Sequence, residues 1–446
     1  MQTCNILQEF RASYYYIGLM VPPKTVPDRR DRNLILWLIL AVALIVRIVY
    51  LIQYQQSGLW EQLTVDNWYH HNWAGSLADG NLFGDTTYFR APFYVYCLGL
   101  LYAVLGSSLW TARLFGMAVG LASVGLTYML GRRLVDRRTG LIAAGIHALY
   151  PWAVYFEGEL LLDSLFLLLV QVTVYRVLIW MDSGQARDLL WIGLAAGVAA
   201  VTRPTVLLII PVILVWILLR SGTGSRPKQI VMFLAGLAIT IGPVFVRNVV
   251  VADDPVLISS QGGINLYIGN NDRADGLSAA MPEPLGHNWD IAQITWLAEE
   301  DTGREMKPGE VSDYWRSRAL DWITDNPGRF AGLYLRKLYY QFGDLEISNN
   351  RSLRAASDAI AFLRVNPLRF GLIFALAVLG IGAAWKRSPG MTLVVVFAGL
   401  YIAAVSLFFF NSRFRLPLLP VYFILAAAGI GLLRDQLRIR SPKVLL

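Results

Sequence analysis

Carboxylates recur at one kind of position in this chain, just outside long apolar runs. Asp66 lies about a dozen residues after the first run, and Glu157, Glu159 and Asp163 flank a later break between two runs. A charge at the centre of a bilayer costs about 2.5–3.5 kcal/mol on insertion scales, so charges near apolar segments are candidates for function. Each residue taken alone could equally be a helix-end anchor whose charged group reaches water.

Arginines share this placement, because Arg90, Arg203, Arg247 and Arg413 each lie near the end of an apolar run. Carboxylates and arginines at one depth would form a site for an anion beside a base. Glycoside hydrolysis usually needs two carboxylates, since the leaving alcohol must be protonated. Transfer from a phosphate-linked group needs only a base for the acceptor hydroxyl and cations for the departing phosphate.

A divalent metal, Mg or Mn, could share the phosphate-binding role by bridging carboxylates and phosphate oxygens, and Asp66 and Asp163 are the candidate ligands. His70 and His71 are adjacent and match no common zinc spacing. The two cysteines lie far apart, one in the N-terminal tail, so no disulfide framework is expected.

The composition places these residues in a membrane protein. The chain has 446 residues, 56% of them hydrophobic and 16% charged, with a mean hydropathy of +0.48. A soluble domain normally carries about 25% charged residues, so a soluble enzyme is excluded. Most basic residues lie in short gaps between apolar runs, which is the positive-inside pattern. No Walker A motif is present, so ATP hydrolysis is not expected.

Ten apolar runs are long enough, or nearly so, to cross a bilayer. They lie at 33–54, 109–131, 139–156, 160–181, 189–202, 205–220, 229–250, 369–385, 391–410 and 415–433. A further run, 91–105, is short and contains Pro92 and Gly99. If it crosses, the basic turns at 132–138 and 220–228 lie outside. If it stays at one face, both turns are cytoplasmic, as the positive-inside rule favours.

We therefore predict an all-α polytopic membrane protein with about ten transmembrane helices, amphipathic helices at the outer face and one larger outer loop. The predicted parts are a cytoplasmic tail 1–32, an N-terminal transmembrane module 33–250 with a first outer loop 55–105, a large extracytoplasmic loop 251–367, C-terminal transmembrane helices 368–434 and a cytoplasmic tail 435–446. Aromatic and basic residues alternate over 314–342, which indicates either helices lying flat among lipid headgroups or ordinary surface helices.

Short motifs in a fixed order resemble the GT-C membrane glycosyltransferases of the protein O-mannosyltransferase and lipid A aminoarabinose transferase type. The likeness extends over nearly the whole chain after residue 33. The elements that carry it are Asp66, Arg90–Tyr94, Pro151, Glu157, Asp163, Thr202–Pro204, Arg247–Asn248, Gly263–Asn270 and Arg413–Pro417. Each motif is weak alone, but their order and their agreement with the charge-derived topology make the set specific for this superfamily.

The resemblance implies an inverting glycosyltransferase of the cell membrane, active at the extracytoplasmic face. It would move a hexose or pentose from an undecaprenyl- or dolichyl-phosphate type of carrier to a glycan, lipid or protein acceptor. Asp66 would be the base. The remaining candidates are Glu157, Asp163 and His70 for orienting the acceptor or a metal, Arg90, Arg247 and Lys337 for the donor phosphate, and Arg203, Tyr267 and Arg413 as further site residues.

Two departures from the pattern of this family narrow the range of possible acceptors. Asn67 follows Asp66 where the protein mannosyltransferases typically have Asp-Glu, which argues against a protein acceptor. The chain also lacks the large C-terminal portion of the aminoarabinose transferases, which argues against lipid A. A transporter or flippase for the lipid carrier is the rival interpretation. It would need pseudo-symmetric halves and charges within its helices near the bilayer midplane, and neither is evident. No nucleic-acid partner is expected.

Overall fold

The computed structural model describes residues 34–279, 281, 290–348, 350–385 and 387–440, and this part of the chain is helical without a strand. The predicted tail 1–32 and residues 441–446 of the second tail lie outside it. The first ten α-helices are α1 Leu34–Gln56, α2 Val65–Ala78, α3 Phe93–Leu105, α4 Leu109–Leu134, α5 Arg137–Leu149, α6 Pro151–Gly158, α7 Asp163–Ser183, α8 Ala186–Ala200, α9 Ile209–Arg220 and α10 Arg226–Ala252. The others are α11 Gly262–Gly269, α12 Ile291–Thr302, α13 Pro308–Asp325, α14 Pro327–Phe342, α15 Leu353–Ala359, α16 Ala361–Val365, α17 Phe370–Trp385, α18 Pro389–Val405 and α19 Leu419–Arg440, with 3₁₀ turns at Pro204–Leu208 and Ser412–Leu418.

Every predicted apolar run is helical, so the all-α membrane fold class is confirmed. In the described residues, five helical segments are long and apolar enough to cross a membrane: Leu34–Gln56, Leu109–Leu134, Asp163–Ser183, Arg226–Ala252 and Ser412–Leu437. The other runs form shorter helices. The run 139–156 is divided into α5 and α6, because Pro151 cannot donate the backbone hydrogen bond that a continuous helix requires.

Helix α1 has the surface expected of a helix that faces lipid. Its side chains Trp37 and Ile45 are 65% and 58% exposed, while Arg47 and Tyr50 are buried against the remaining helices. An apolar face without a protein neighbour is stable only in a non-aqueous environment. The chain is therefore an integral membrane protein.

Gly116 and Gly120 let α4 approach α6. A Cβ atom at Gly116 would lie 2.0 Å from the backbone carbonyl oxygen of Glu157, and one at Gly120 would lie 1.9 Å from the Glu157 carboxyl carbon. Such a close approach is typical of a Gly-x-x-x-Gly spacing in membrane helices.

We predict that Gly116→Ala destabilises the protein severely, since a backbone carbonyl cannot turn aside as a flexible side chain can. Gly125→Ala is the matched control in the same helix, because a Cβ there meets nothing within 4 Å. Alanine in a helix interior is more stabilising than glycine by roughly 0.5–1 kcal/mol, so the Gly125→Ala control should be neutral or slightly stabilising. Thermal unfolding followed by size-exclusion chromatography in detergent measures the difference. Equal melting temperatures for the two variants would contradict this packing.

The first outer loop begins and ends at the same end of the membrane helices. The rings of Trp60, just after α1, and Trp110, at the start of α4, have centroids 4.6 Å apart. Between them α2 and α3 form a hairpin in which His71 Nδ1 lies 2.7 Å from the Tyr102 hydroxyl. This geometry supports the topology in which 91–105 does not make a single crossing of the membrane.

The segment after α10 has a small hydrophobic core of its own, which includes Ile264, Tyr267, Ile294 and Trp315. It is joined to the first outer loop by a backbone hydrogen bond from Ser260 N to Tyr88 O (2.9 Å) and by the Thr87 hydroxyl, which donates to Asp254 Oδ2 (2.7 Å). Both outer segments therefore form one surface above the helices.

Helix α14 exposes apolar side chains along one stripe, with Leu335 and Tyr339 64% and 71% exposed and Phe342 beside them. Such a stripe is typical of a helix lying in a membrane interface. The interfacial placement of 314–342 stays a prediction.

Candidate active site around Asp66

Asp66 lies in the first turn of α2, where the partial positive charge of the helix N-terminus favours a carboxylate. Its side chain is buried between two guanidinium groups. Arg90 Nη1 contacts Oδ1, and Arg413 Nη1 donates to Oδ2 at 2.6 Å. Arg90 comes from the end of the first outer loop and Arg413 from the 3₁₀ turn before α19. Three distant parts of the sequence therefore meet at this carboxylate.

Asp163 lies next to this group at the first residue of α7 and is fully buried. Arg203 Nη1 is 2.7 Å from Asp163 Oδ1, and Arg413 Nη1 is 4.0 Å from Asp163 Oδ2. Arg413 thus stands between the two carboxylates. We call Asp66, Asp163, Arg90, Arg203 and Arg413 the Asp66 centre.

The charge state of Asp66 follows from these partners. Burial alone would raise the pKa of its carboxyl, but the positive charges of Arg90 and Arg413 outweigh burial and hold that pKa well below 3.8. Asp66 is consequently ionised at neutral pH. A bound anion that drew either arginine away would return the pKa toward its ordinary value and make the carboxylate a stronger base.

His70 lies one helical turn after Asp66 on the same buried face of α2. Its Nδ1 is 2.8 Å from the Leu160 carbonyl oxygen, so Nδ1 carries the proton and Nε2 is left as an acceptor. Burial, followed by the charge of Arg90, lowers the pKa of His70 to about 4. The structure therefore places a neutral histidine beside Asp66.

Glu157 is not brought to the Asp66 centre. Its carboxylate forms a buried ion pair with Arg47 in the middle of α1, at 2.7 Å. Because removing either partner of a buried ion pair leaves an uncompensated charge, this pair stabilises the packing of the helices. Glu157 therefore contributes to helix packing rather than to the candidate site. The signal for this pair in the sequence was Arg47, a charged residue inside the first apolar run.

Glu159 explains why Asn67 follows Asp66. The Tyr54 hydroxyl donates to Glu159 Oε1 at 2.7 Å, and Asn67 Nδ2 donates to Oε2. A glutamate at position 67 would place a second negative charge against this buried carboxylate. Asn67, the residue that departs from the mannosyltransferase pattern, is therefore matched by its partner Glu159 in this chain. Glu159 was not among the predicted site residues.

Arg247 lies near the end of α10. Its guanidinium donates to the backbone carbonyls of Phe83 and Thr86 and lies 4.0 Å from the Tyr88 ring centroid. The adjacent Asn248 donates to Val256 O at 2.9 Å. This pair holds the first outer loop against the segment that follows α10, and its described contacts do not include Asp66.

Lys337 and Tyr267 belong to the same outer segment. Lys337 is fully buried, and its Nζ donates to Gly269 O at 2.8 Å and lies 3.3 Å from Asn270 Oδ1. Tyr267 packs on Trp315 with ring centroids 4.8 Å apart. Burial lowers the pKa of Lys337 to about 7. Both residues support the fold of this segment.

The buried lysine predicts a specific pH dependence of stability. The pKa of Lys337 is lower in the folded chain than in the unfolded chain, where it is about 10.4. Between these two values the unfolded chain binds more protons, so the contribution of Lys337 to stability rises from pH 7 to pH 10. We expect Lys337→Met to flatten this rise in melting temperature relative to the wild type. Parallel slopes for both proteins would contradict the assignment.

The predicted metal site at Asp66 and Asp163 does not fit the geometry. Both carboxylates are paired with guanidiniums, and Arg413 lies between them. In the described part of the chain, no group of three or more His, Cys, Asp or Glu side chains is placed to hold a metal ion.

A cavity of about 570 Å³ opens beside the centre, between α2, residues 81–89 and helices α12 and α13. Tyr69 lines this cavity, and its ring lies 4.8 Å from the Arg90 guanidinium. Since Arg90 also contacts Asp66, Tyr69 and Arg90 connect the cavity wall to the candidate base.

Part of this chain matches a known protein family, and its fold matches solved membrane proteins. Residues 90–246 match the family of dolichyl-phosphate-mannose-protein mannosyltransferases, a segment that includes Arg90, Asp163 and Arg203 but not Asp66 or Arg413. The apo crystal structure of the Archaeoglobus fulgidus oligosaccharyltransferase is similar over 92% of this chain, with a TM-score of 0.53 and 14% identity. The resemblance to GT-C glycosyltransferases is confirmed.

The structural likeness at this identity concerns the fold alone. The chain spans 51% of the archaeal oligosaccharyltransferase. Apo ArnT from Cupriavidus metallidurans is also similar, at 16% identity over 88% of this chain and 76% of ArnT, with a TM-score of 0.42. No curated protein has a significant sequence match. The chain thus has the helical membrane fold of the GT-C type.

Proposed function

We propose that this protein transfers a sugar from a polyprenyl-phosphate carrier to an acceptor hydroxyl, with inversion at the anomeric carbon, on the extracytoplasmic side of the cell membrane. The observation that carries the proposal is the buried Asp66 carboxylate held by Arg90 and Arg413, beside a cavity that opens to solvent. A carboxylate and adjacent cations are the minimum set for displacement of a phosphate leaving group.

The reaction balances with these groups. The acceptor oxygen attacks the anomeric carbon and gives its proton to Asp66, while the bond from that carbon to the phosphate oxygen breaks. The electron pair of this bond leaves on the polyprenyl phosphate, which needs no protonation to depart. Arg90 and Arg413 are the nearest cations that could receive the negative charge.

Donor binding and base activation are coupled in this scheme. The donor phosphate competes with Asp66 for the two guanidiniums, and each contact that moves to the phosphate raises the basicity of the carboxylate. Asp163, which is paired with Arg203, also lies near Arg413 and helps to hold the Arg413 guanidinium at the Asp66 centre. The free enzyme therefore holds its base in a weakly basic state until the donor arrives.

The rival function is transport of the lipid carrier without transfer. A transport path would require charged groups along the inside of the bilayer. The described ion pairs of the Asp66 centre join residues at helix ends and outer loops, which favours transfer. Within the helices, the buried Arg47 is neutralised by its ion pair with Glu157, and the buried Arg113 donates to the backbone carbonyls of Gly158 and Trp60.

Purified protein in sealed liposomes separates the two functions. The lipid phase would contain polyprenyl-phosphate sugars of several hexoses and pentoses, and crude membrane glycans, lipids and proteins would serve as acceptors. The proposal predicts acceptor-dependent release of free polyprenyl phosphate with at least one donor. Movement of intact lipid-linked sugar across the bilayer without such release would support the transporter instead.

A further inference from the structure

We propose that the cavity beside the Asp66 centre is a binding site for a neutral carbohydrate acceptor. The inference rests on the transferase function proposed above and names the class of acceptor. The cavity volume of about 570 Å³ is within the range of small-molecule binding sites. Its walls combine flat aromatic side chains with amides and hydroxyls, which are the groups that recognise a sugar ring.

One face of α2 forms the first wall. Trp68, Tyr69, Asn72, Trp73 and Ser76 follow each other at helical spacing and all line the cavity. The adjoining face of the same helix carries Asp66 and His70, which are buried. Helix α2 therefore presents the cavity and the candidate base on neighbouring faces.

The second wall comes from the segment after α10. Trp315, Ile264 and Ile294 close it with apolar surface, and Ser260 adds a hydroxyl. Ser260 is 4% exposed, and its Oγ has no hydrogen-bond partner in the described residues. A buried hydroxyl without a partner costs free energy, so a polar ligand that reached Ser260 would gain a favourable contact.

The lining favours a sugar over other acceptors. The C–H faces of a pyranose pack on aromatic rings, and its hydroxyls bond to side chains such as Asn72 and Ser76. Arg247 is the one cationic side chain in the described lining, and it is already bound to two backbone carbonyls, so an anionic lipid headgroup finds no free charge. A peptide that binds as an added strand needs a sheet edge, and these walls are helices and loops.

Trp68 provides the test position. It lines the cavity while 59% exposed, so its side chain contributes little to the folded core, and truncation tests binding rather than folding. Trp296 is the matched control, because it is 52% exposed on α12 and is not part of the lining. Asn72, also exposed, gives a second and independent variant.

Saturation-transfer NMR of the full chain in nanodiscs, without donor, measures binding directly. The probes are methyl glycosides of hexoses, N-acetylhexosamines, deoxyhexoses and pentoses, with the capped peptide Ala-Thr-Ala and glycerol phosphate as comparison ligands. We expect at least one glycoside to bind, about tenfold more weakly to Trp68→Ala and about fivefold more weakly to Asn72→Ala. Trp296→Ala should bind like the wild type.

Binding of no glycoside, or binding that Trp68→Ala and Asn72→Ala leave unchanged, would overturn the carbohydrate site. Preferential binding of the peptide or of glycerol phosphate would overturn it too. Since these titrations contain no donor, their failure is distinguishable from failure of the transferase function, which the release of polyprenyl phosphate tests separately.

Discussion

Asp66→Asn is expected to reduce sugar transfer by between about 100-fold and 10,000-fold, which is the usual contribution of a general base. Asparagine has nearly the shape of aspartate, and its one oxygen can accept a hydrogen bond from Arg90 or Arg413, but its amide cannot take the acceptor proton. The loss should appear in kcat more than in the KM for the donor. Rapid-quench measurement of free polyprenyl phosphate in a single turnover isolates this chemical step.

Glu157→Gln is the matched control for this variant. It makes the same chemical change at another buried carboxylate, which is paired with Arg47 and lies away from the Asp66 centre. We expect it to lower the melting temperature while the remaining folded protein keeps its rate of transfer. An Asp66→Asn protein within a few-fold of the wild-type rate would exclude Asp66 as the base, and so would a Glu157→Gln protein with the larger catalytic loss.

Arg413→Ala should have the second largest effect, because one side chain serves both carboxylates of the centre. Its removal leaves Asp66 and Asp163 buried with one fewer cation, and breaking a buried pair typically costs about 3–5 kcal/mol of stability. Transfer should fall by roughly 100-fold or more, since a cation positioned on the leaving phosphate is lost. Lysine at this position restores the positive charge but not the planar guanidinium group. Arg413→Lys should therefore recover only part of the lost stability and part of the lost transfer activity.

The pH dependence of the Arg413 variant has a definite sign. A carboxylate whose pKa is lowered by folding contributes stability above its unfolded pKa, and this contribution is lost as the pH falls through the folded pKa. Removing Arg413 raises the folded pKa of Asp66 toward its unfolded value, so the variant should lose less stability than the wild type as the pH falls from 7 to 3. Melting curves from pH 3 to pH 7 test this shift. Arg329→Ala, which breaks an exposed pair with Asp272, should leave the curve within about 0.5 kcal/mol of the wild type.

The sequence was sufficient for the helices, because each is marked by an apolar run with charged or proline-containing borders. Pro151 and Pro204 begin new helical segments where the sequence placed outer turns. Their effect is local, since proline removes a backbone donor within its own turn. The glycines of α4 were also recognisable from a spacing of four residues.

The partners within the site could not be predicted in the same way. Asp66 and Arg413 are 347 positions apart, and Arg47 and Glu157 are 110 apart. Their common depth in the membrane predicted that charged side chains would lie close together. Which residues form ion pairs, however, depends on how the helices pack. Arg247 and Lys337 show the same limitation. Both were chosen as phosphate ligands by charge and position, and both are bound to backbone carbonyls.

The cavity is a further feature that the sequence concealed. Its α2 wall was visible as the aromatic cluster around Asp66, but its second wall begins about 190 residues later, at Ser260. Contacts between the first outer loop and the later segment, which include the Ser260–Tyr88 and Thr87–Asp254 hydrogen bonds, bring the two walls together.

The configuration of the product sugar tests the central claim most directly. If Asp66 removes a proton from the acceptor and Arg90 and Arg413 hold the departing phosphate, the acceptor attacks the face opposite the carrier in one displacement. Proton NMR of the anomeric signal, after transfer from a donor of defined configuration, should show complete inversion. Retention of configuration would contradict the account, because it would require Asp66 to act as a covalent nucleophile.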